Sequence, residues 1–148
     1  MLCSASLRSL KFEDVPSLLP LMEELGYPIS LQEMQARTLL YKKDRHKKVF
    51  VALLHKKVVG CIALSLMDYF HAKRCSCRIV ALIVKKEVRR QKIGSLLLQK
   101  AESFAQKRGC SLIELTTGAH RKKMGSHDFY EKMGYHNKEE KLYLRKHL

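Results

Sequence analysis

The pattern of apolar and polar positions predicts a series of strands along the chain. Residues 5–10 alternate between polar and apolar side chains, as a half-buried strand does. Residues 49–54 and 58–66 are apolar runs separated by a short polar turn, so they predict a hairpin. Residues 78–84 are almost entirely apolar over the length of one strand, which indicates a strand covered on both faces. Further strands are predicted at residues 111–116 and, from a weak alternation, at 141–148.

Apolar residues at helical spacing, bounded by capping residues, predict four helices. The first begins at the N-cap Asp14 and ends at Gly26. The second begins at a capping box opened by Ser30 and continues to about residue 41. The third ends at Gly109, and the fourth spans about residues 126–133. One face of the third helix is predicted to be buried: Ile93, Leu97, Ala101, Phe104 and Ala105.

The resulting order of elements, β-α-α-β-β-β-α-β-α-β, predicts an α/β fold with a mixed sheet. The strand at 78–84, the third helix and the strand at 111–116 form a βαβ unit, so these two strands are expected to be parallel and near the centre of the sheet. The chain has 148 residues, enough for one compact domain, and we expect residues 1–148 to form it.

Composition narrows the classes of partner. The net charge of +15 favours partners that carry phosphate or other anionic groups. Tryptophan is absent and aromatic residues make up only 7% of the chain, so nucleic acid is not expected as the main partner. No apolar segment reaches the length of a membrane span, and the first ten residues do not resemble a secretory signal. We therefore expect a cytoplasmic protein.

The five cysteines do not predict a metal site or a disulfide framework. Their number is odd, and the sequence contains no CxxC pair. Cys75 and Cys77 form a CxC pair without further partners nearby in sequence. Isolated thiols in a reducing compartment are the favoured interpretation, and no metal is expected.

A basic cluster precedes the third helix, where Arg89, Arg90, Gln91 and Lys92 come shortly before Gly94. Basic side chains ordinarily favour the other end of a helix. The unpaired N–H groups and the dipole at a helix N-terminus favour an anion, and loops that follow parallel strands are where open α/β sheets bind ligands. The cluster is therefore a candidate phosphate site, with a solvated basic turn as the alternative.

A second candidate stretch, SHDFYEKMGYH, occupies residues 126–136. Phe129 and Met133 are four residues apart, so they share a helix face and are expected to pack into the core. Tyr130 points in another direction. A tyrosine on a short helix is usually a packing residue, and only its combination with the basic cluster favours a functional role.

Together the two stretches resemble the GNAT superfamily of N-acetyltransferases. The family's acetyl-CoA loop, Arg/Gln-x-x-Gly-x-Gly/Ala, is similar to Arg89-Arg90-Gln91-Lys92-Ile93-Gly94, and the run from Phe129 to Tyr135 is similar to its "FYEKxGF" signature. The resemblance implies a mostly antiparallel twisted sheet with a splayed parallel pair and helices on both faces. Thr116-Thr117-Gly118 and the tail Leu142–Lys146 resemble a branch that acts on small amines, including aminoglycosides and aminoalkylphosphonates.

The resemblance also implies a function: transfer of an acetyl group from acetyl-CoA, as cosubstrate, to a primary amine by direct attack through a tetrahedral intermediate. Backbone groups would hold the pyrophosphate and the pantetheine arm, and one N–H would polarise the thioester carbonyl. Tyr130 would protonate the departing thiolate. Glu114 and His127 are candidates for the general base. The residues implied to bind the cofactor are Leu82, Ile83, Val84, Arg89, Arg90, Gln91, Lys92, Ile93, Gly94 and Ser95.

Lys92 departs from the family pattern, because it stands where the motif has its first glycine. If that position requires a positive φ, lysine is costly; in the helical or β region its side chain can turn outward. We favour tolerance, since the flanking motif is intact. The departure keeps a second function open, a catalytically weak or inactive acyl-CoA-binding sensor. The acceptor amine is not predicted, and a homodimer is possible.

Overall fold

The computed structural model describes residues 4–117, 126–137 and 143–148. These residues fall into two compact units, one within Met1–Leu115 and the other within Thr116–Leu148. A single domain over the whole chain therefore stays a prediction. The strands are β1 Ser6–Ser9, β2 Lys47–Leu54, β3 Lys57–Asp68, β4 Cys75–Val84 and β5 Cys110–Glu114. The helices are α1 Val15–Leu25, α2 Leu31–Lys43, α3 Ile93–Lys107 and α4 Ser126–Lys132, with short 3-10 turns at Phe12–Asp14 and Lys86–Val88.

The five strands form one mixed sheet in the order β1-β2-β3-β4-β5. Neighbouring strands are antiparallel except β4 and β5, which are parallel, as the βαβ unit predicts. The predicted hairpin is β2–β3, and its two turn residues, His55 and Lys56, both have positive φ. A two-residue turn of this kind matches the right-handed twist of the strands. The α/β class and the mixed sheet are confirmed.

Helices cover both faces of the sheet in the first unit. Val51, Cys61 and Ile83 are paired side by side and belong to one apolar cluster with Leu18 and Leu21 of α1. Since side chains alternate along a strand, the neighbours of these strand residues point to the opposite face. There Phe50 of β2 packs edge-to-face against Phe104 of α3, with ring centroids 5.7 Å apart. The prediction of helices on both faces is confirmed.

Helix α3 buries the predicted face. Ile93, Leu97, Ala101 and Ala105 are buried, and Phe104 is half-buried against Phe50. The neighbouring Leu98 is also fully buried, which widens the apolar stripe beyond the predicted positions. This packing anchors α3 and fixes the position of its first turn at the end of the loop that follows β4.

Three expectations from the sequence are wrong in whole or in part. Asp14 is the N-cap residue of α1 as predicted, but its side chain makes no capping hydrogen bond. Its carboxylate instead accepts hydrogen bonds of 2.7 and 2.9 Å from the Arg8 guanidinium and one of 2.8 Å from the Lys11 N–H. These hydrogen bonds, led by that from Arg8, lower the pKa of Asp14. The parallel pair was also expected near the centre of the sheet, whereas among the described strands β5 lies at the edge. The strand predicted at 141–148 is absent over residues 143–148, since Tyr143 and Leu144 are exposed and leave no apolar face to bury; residues 141 and 142 lie outside the described chain.

Among the helices that the structure describes, none is both long enough and apolar enough to cross a membrane.

Candidate functional site

Strand β4 has two halves with different neighbours. Residues 75–78, the paired half, are bonded to β3 on one side and to β5 on the other, and the pairing with β5 ends at Arg78 and Glu114. Residues 79–84, the open half, continue to pair with β3 as far as Val84 but have no partner in β5. The ladder between the two parallel strands therefore ends at Arg78, and within the described part of the chain no strand pairs with the open half on its β5 side. This loss of pairing agrees with the predicted splayed pair.

A β-bulge marks the point of separation. Ala63 of β3 pairs with Ala81, and the next residue, Leu64, pairs with Ile79, so Val80 is skipped. An extra residue bends the strand that contains it and increases the local twist. Val80 is about half exposed, as expected for a residue pushed out of the ladder. The bend gives a physical reason why β4 follows β3 but leaves β5.

The open half contains the three strand residues implied to bind the cofactor. Ile83 is buried in the cluster beneath α1, whereas Leu82 and Val84 are half-buried. Gly60 of β3 lies opposite Val84, and a Cβ atom there would come within 3.0 Å of the Ile83 carbonyl oxygen. The glycine therefore allows β3 to approach this half closely. The Lys85 N–H donates to the Val59 carbonyl oxygen of β3 at 2.8 Å, so by alternation the backbone groups of Ile83 also face β3. The backbone groups of Leu82 and Val84 face the β5 side. The implied role of the Ile83 backbone in holding a ligand is therefore wrong, and its side chain is buried in the core.

The loop after β4 returns to the end of the strand. The Arg89 side chain donates a hydrogen bond of 3.0 Å from Nε to the Val84 carbonyl oxygen. Arg90 and Lys92 both adopt positive φ, at 74° and 62°. We call residues 89–95 the anion loop. The side chains of its first four residues are exposed, so their charges remain in solvent around the start of α3.

The first turn of α3 presents unused donors. The first helical hydrogen bond runs from the Leu96 N–H to the Lys92 carbonyl oxygen, at 3.1 Å. In this described helix the N–H groups of Ile93, Gly94 and Ser95 thus have no acceptor within the helix. The first turn contains no acidic side chain. The first turn of α3 therefore favours an anion such as phosphate. It combines three N–H groups and the positive end of the helix dipole with the three cations of residues 89–92.

Lys92 adopts a positive φ, which of the two conformations considered from the sequence is the energetically costly one for a lysine. Its φ of 62° and ψ of 18° are left-handed helical, the region that glycine adopts without strain. A residue with a Cβ loses about 1–2 kcal/mol in this conformation. The sequence left the backbone angle of Lys92 open, and the structure places it in the left-handed region with its side chain exposed.

Glu114 is the last residue of β5 and pairs with Arg78 of β4. The Arg78 Nη1 and Glu114 Oε1 atoms lie 3.7 Å apart, and both side chains are partly exposed. The carboxylate is therefore held at the point where the two parallel strands separate, with a guanidinium as its partner.

The second unit holds Tyr130 and His127 on α4. They are three residues apart and so are neighbours on the helix surface. The half-buried Tyr130 ring contacts Phe129 and Tyr135 with centroid distances of 5.2 and 6.0 Å, and the Tyr135 N–H donates to the Tyr130 carbonyl oxygen at 2.9 Å. The His127 Nε2 atom is buried and has no hydrogen-bond partner among the described residues.

Sequence reasoning missed Val80 and Gly60, the two residues that shape the open half. The bulge at Val80 leaves no signal in a nearly continuous apolar run, and the role of Gly60 depends on which β4 residue lies opposite. Gly118 and Leu142, which contribute to the resemblance to the small-amine branch, lie outside the described residues. Within the described part of the chain, no group of three or more His, Cys, Asp or Glu residues is placed to hold a metal ion.

The chain is similar to acetyltransferases of known sequence and structure. Over 85 residues it is 39% identical to the aminoalkylphosphonate N-acetyltransferase of Salmonella typhimurium, a match that covers 57% of this chain and 54% of that protein. The matched segment thus spans about half the length of this curated relative. A GNAT family acetyltransferase from Staphylococcus aureus superposes with a TM-score of 0.81 at 22% identity, covering 98% of this chain and 99% of the other.

The aminoglycoside N-acetyltransferase AAC(6')-Iy, whose structure is a complex with CoA, superposes with a TM-score of 0.84 at 15% identity. That superposition covers 99% of this chain and 97% of the other. At these identities the two structures show a shared fold. The model of the acetyltransferase (GNAT) family matches residues 15–135, which include both the anion loop and the run from Phe129 to Tyr135 that contains Tyr130. The chain therefore belongs to the GNAT family of acetyltransferases.

Proposed function

We propose that this protein is an acetyl-CoA-dependent N-acetyltransferase that acts on a small primary amine. The observation that carries the proposal is the continuity of two features along one segment. The open half of β4 leads directly into the anion loop. No described strand pairs with that half on its β5 side, and three N–H groups in the first turn of α3 have no acceptor within the helix. A ligand whose extended arm forms hydrogen bonds to the open half and whose pyrophosphate lies at the anion loop fits this segment.

In the proposed complex, the N–H groups of the anion loop hold the pyrophosphate of acetyl-CoA. Ile93 takes part through its backbone, since its side chain is buried. Gly94 has no side chain and Ser95 has a small one, so both allow the pyrophosphate to approach the backbone of the first turn closely. The exposed Arg89 and Arg90 supply positive charge. The backbone groups of Leu82 and Val84, which face away from β3, bind the pantetheine arm, and Ile83 anchors this half in the core.

Acetyl-CoA supplies a thioester that an amine attacks directly. A backbone N–H of the open half stabilises the oxyanion that forms, and Tyr130 donates a proton to the departing thiolate. The role of Tyr130 rests on the family match, which includes its motif. For the general base we favour His127 over Glu114. The His127 Nε2 atom has no partner among the described residues, whereas the Glu114 carboxylate is paired with Arg78.

The acceptor is proposed only as a class, a small molecule with a primary amine. Two similar proteins are an aminoalkylphosphonate N-acetyltransferase and an aminoglycoside N-acetyltransferase, whose acceptors differ in charge. The net charge of +15 favours an anionic amine over a polycationic one. A cytoplasmic location and a homodimer are further proposals, consistent with enzymes of this size and family.

The proposal is tested by measuring CoA release from acetyl-CoA across a panel of aminophosphonates, aminoglycosides, polyamines and amino acids. With an accepted amine, Tyr130→Phe is expected to lower kcat about 100-fold, because the thiolate then leaves without a general acid. The KM for acetyl-CoA should change little. Tyr135→Phe is the matched control, since it removes a hydroxyl from the ring next to Tyr130 and should leave kcat near the wild-type value.

Two outcomes contradict the proposal in different ways. Tight binding of acetyl-CoA without turnover of any amine favours the acyl-CoA sensor. Equal kcat values for Tyr130→Phe and the wild type leave the transferase in place but remove Tyr130 from its mechanism.

A further inference from the structure

A pair of thiols joins the two parallel strands at the end opposite the proposed cofactor segment. Cys75 opens β4, Cys110 opens β5, and the two residues are direct partners in the parallel register. Their Sγ atoms are 2.7 Å apart, and both cysteines are unbonded thiols on partly exposed residues. The pair is brought together by β-sheet register across 35 positions of sequence, not by the CxC spacing of Cys75 and Cys77.

The backbone at this point already has the geometry that a disulfide needs. Neighbouring strands lie about 4.8 Å apart, within the roughly 4.4–6.8 Å that separates the Cα atoms of bonded cysteines. Since the side chains of Cys75 and Cys110 already converge, a bond between them does not require the strands to move apart or to slip in register.

The other described cysteines do not compete with this pair. Cys61 and Cys77 are buried, with 3% and 0% of their surfaces exposed. Burial raises the pKa of Cys61 to about 12 and that of Cys77 to about 11, so both remain protonated thiols. Because the thiolate is the reactive form, these two residues are poor nucleophiles. Among the described cysteines, Cys75 and Cys110 are therefore the two that are partly exposed to an oxidant.

We propose that Cys75 and Cys110 are a modification site, a dithiol that a low-molecular-weight disulfide such as glutathione disulfide converts reversibly into an intramolecular disulfide. The proposal does not depend on the acetyltransferase activity. In the first step the Cys75 thiolate attacks one sulfur of glutathione disulfide and releases one glutathione. In the second, Cys110 loses its proton to solvent, attacks the Cys75 sulfur and releases the second glutathione. Two protein thiols are oxidised, and one glutathione disulfide is reduced to two glutathiones.

The order of the two steps follows from the environment of Cys110. Burial, followed by the hydrogen bond with Cys75, raises the pKa of the Cys110 thiol, which favours Cys75 as the first nucleophile. In the second step, its position beside Cys75 offsets the small thiolate fraction, because the attack is intramolecular.

The disulfide would link the paired half of β4 to the start of β5 and close a loop that contains the open half, the anion loop and α3. A covalent link across a loop of this length stabilises the folded chain mainly by restricting the unfolded one. For a chain of this size we expect a rise in Tm on the order of 5–10 °C on oxidation, reversed by dithiothreitol.

The test equilibrates the full chain in glutathione buffers that range from reduced to oxidised, traps free thiols by alkylation and maps the products by mass spectrometry. The expected product in the oxidised buffers has lost two hydrogen atoms, with peptides containing Cys75 and Cys110 joined. Cys75→Ser and Cys110→Ser should each prevent this product and the rise in Tm, and Cys3→Ser should preserve both. Cys75→Ala is a second variant that should also prevent the product. Its circular dichroism spectrum is compared with that of the wild type to show whether the loss comes from misfolding caused by serine.

Three outcomes would overturn the proposal. In the first, both thiols are still alkylated in the most oxidised buffer. In the second, stable glutathione adducts accumulate on Cys75 or Cys110 instead of the internal disulfide. In the third, either residue forms a disulfide with a different cysteine or with a second chain.

Discussion

The two halves of β4 differ in what their backbone does, although they form one strand. The paired half, residues 75–78, is bonded on both sides, carries a thiol pair and an ion pair to β5, and is fixed by them. The open half, residues 79–84, is bonded to β3 alone and leads into the anion loop. The same strand thus provides a half that is paired on both sides and a half that has no strand partner on its β5 side among the described residues.

The difference shows how a ligand site can be made from backbone geometry with few special side chains. The bulge at Val80 bends β4 away from β5, and Gly60 keeps β3 close to the bent half. Neither residue carries a reactive group. Together they shape a strand segment without a described β5 partner, and Ile83 anchors that segment in the core beneath α1.

The largest effect is expected from Gly60→Ala, which acts on the open half. The new methyl group would lie 3.0 Å from the Ile83 carbonyl oxygen and 3.3 Å from the Val84 Cγ2 atom. A backbone oxygen cannot turn aside as a side chain can, so β4 must shift. We expect unfolding free energy to fall by about 1–3 kcal/mol, measured by urea denaturation. We also expect the KM for acetyl-CoA to rise more than kcat falls.

Ser65→Ala is the matched control for Gly60→Ala, because Ser65 lies on the same strand opposite Arg78 in the paired half. It loses the hydrogen bond of 3.3 Å from the Lys47 Nζ atom to its hydroxyl, so a small loss of stability is expected, with the KM for acetyl-CoA unchanged. If Gly60→Ala and Ser65→Ala shifted the KM equally, the functional difference between the halves would be wrong.

A smaller effect of opposite sign is expected from Lys92→Gly in the anion loop. Glycine removes a left-handed strain of about 1–2 kcal/mol and adds about 0.5–1 kcal/mol of unfolded-state entropy. We therefore expect a net gain in unfolding free energy of about 0.5–1 kcal/mol by urea denaturation. Gln91→Gly is the control, since Gln91 lacks a positive φ and should only lose stability.

Acetyl-CoA binding to Lys92→Gly distinguishes strain from function. An unchanged or lower KM would show that the lysine is merely tolerated, as the sequence suggests. A KM that rises several-fold would show that the Lys92 ammonium contacts the cofactor and that the strain is retained for that contact.

Periodicity and capping signals predicted the five described strands, the four helices and the buried face of α3, but they also predicted a last strand that residues 143–148 do not form. The confirmed features depend on local sequence, as the Ser30 side chain shows by accepting from the Glu33 N–H as predicted. Features that depend on register were not predictable. The bulge at Val80, the approach of Gly60 to β4 and the contact of Cys75 with Cys110 all require knowing which residues lie opposite one another. The backbone angle of Lys92 was left open for a similar reason, since a motif position does not state its φ.

The smallest structural effect is expected from Glu114→Gln at the boundary between the halves. The variant removes the charge that pairs with Arg78 at 3.7 Å and keeps the shape of the side chain. A partly exposed ion pair of this kind contributes about 0.5 kcal/mol or less, so unfolding free energy should hardly change. If His127 is the base, kcat should also stay within about two-fold of wild type, whereas His127→Gln should lower it at least 10-fold. A large fall in kcat for Glu114→Gln at unchanged stability would transfer the role of base to Glu114. The boundary of the paired half would then be part of the catalytic machinery, and the separation of β4 into a structural and a ligand-binding half would have to be redrawn at Arg78.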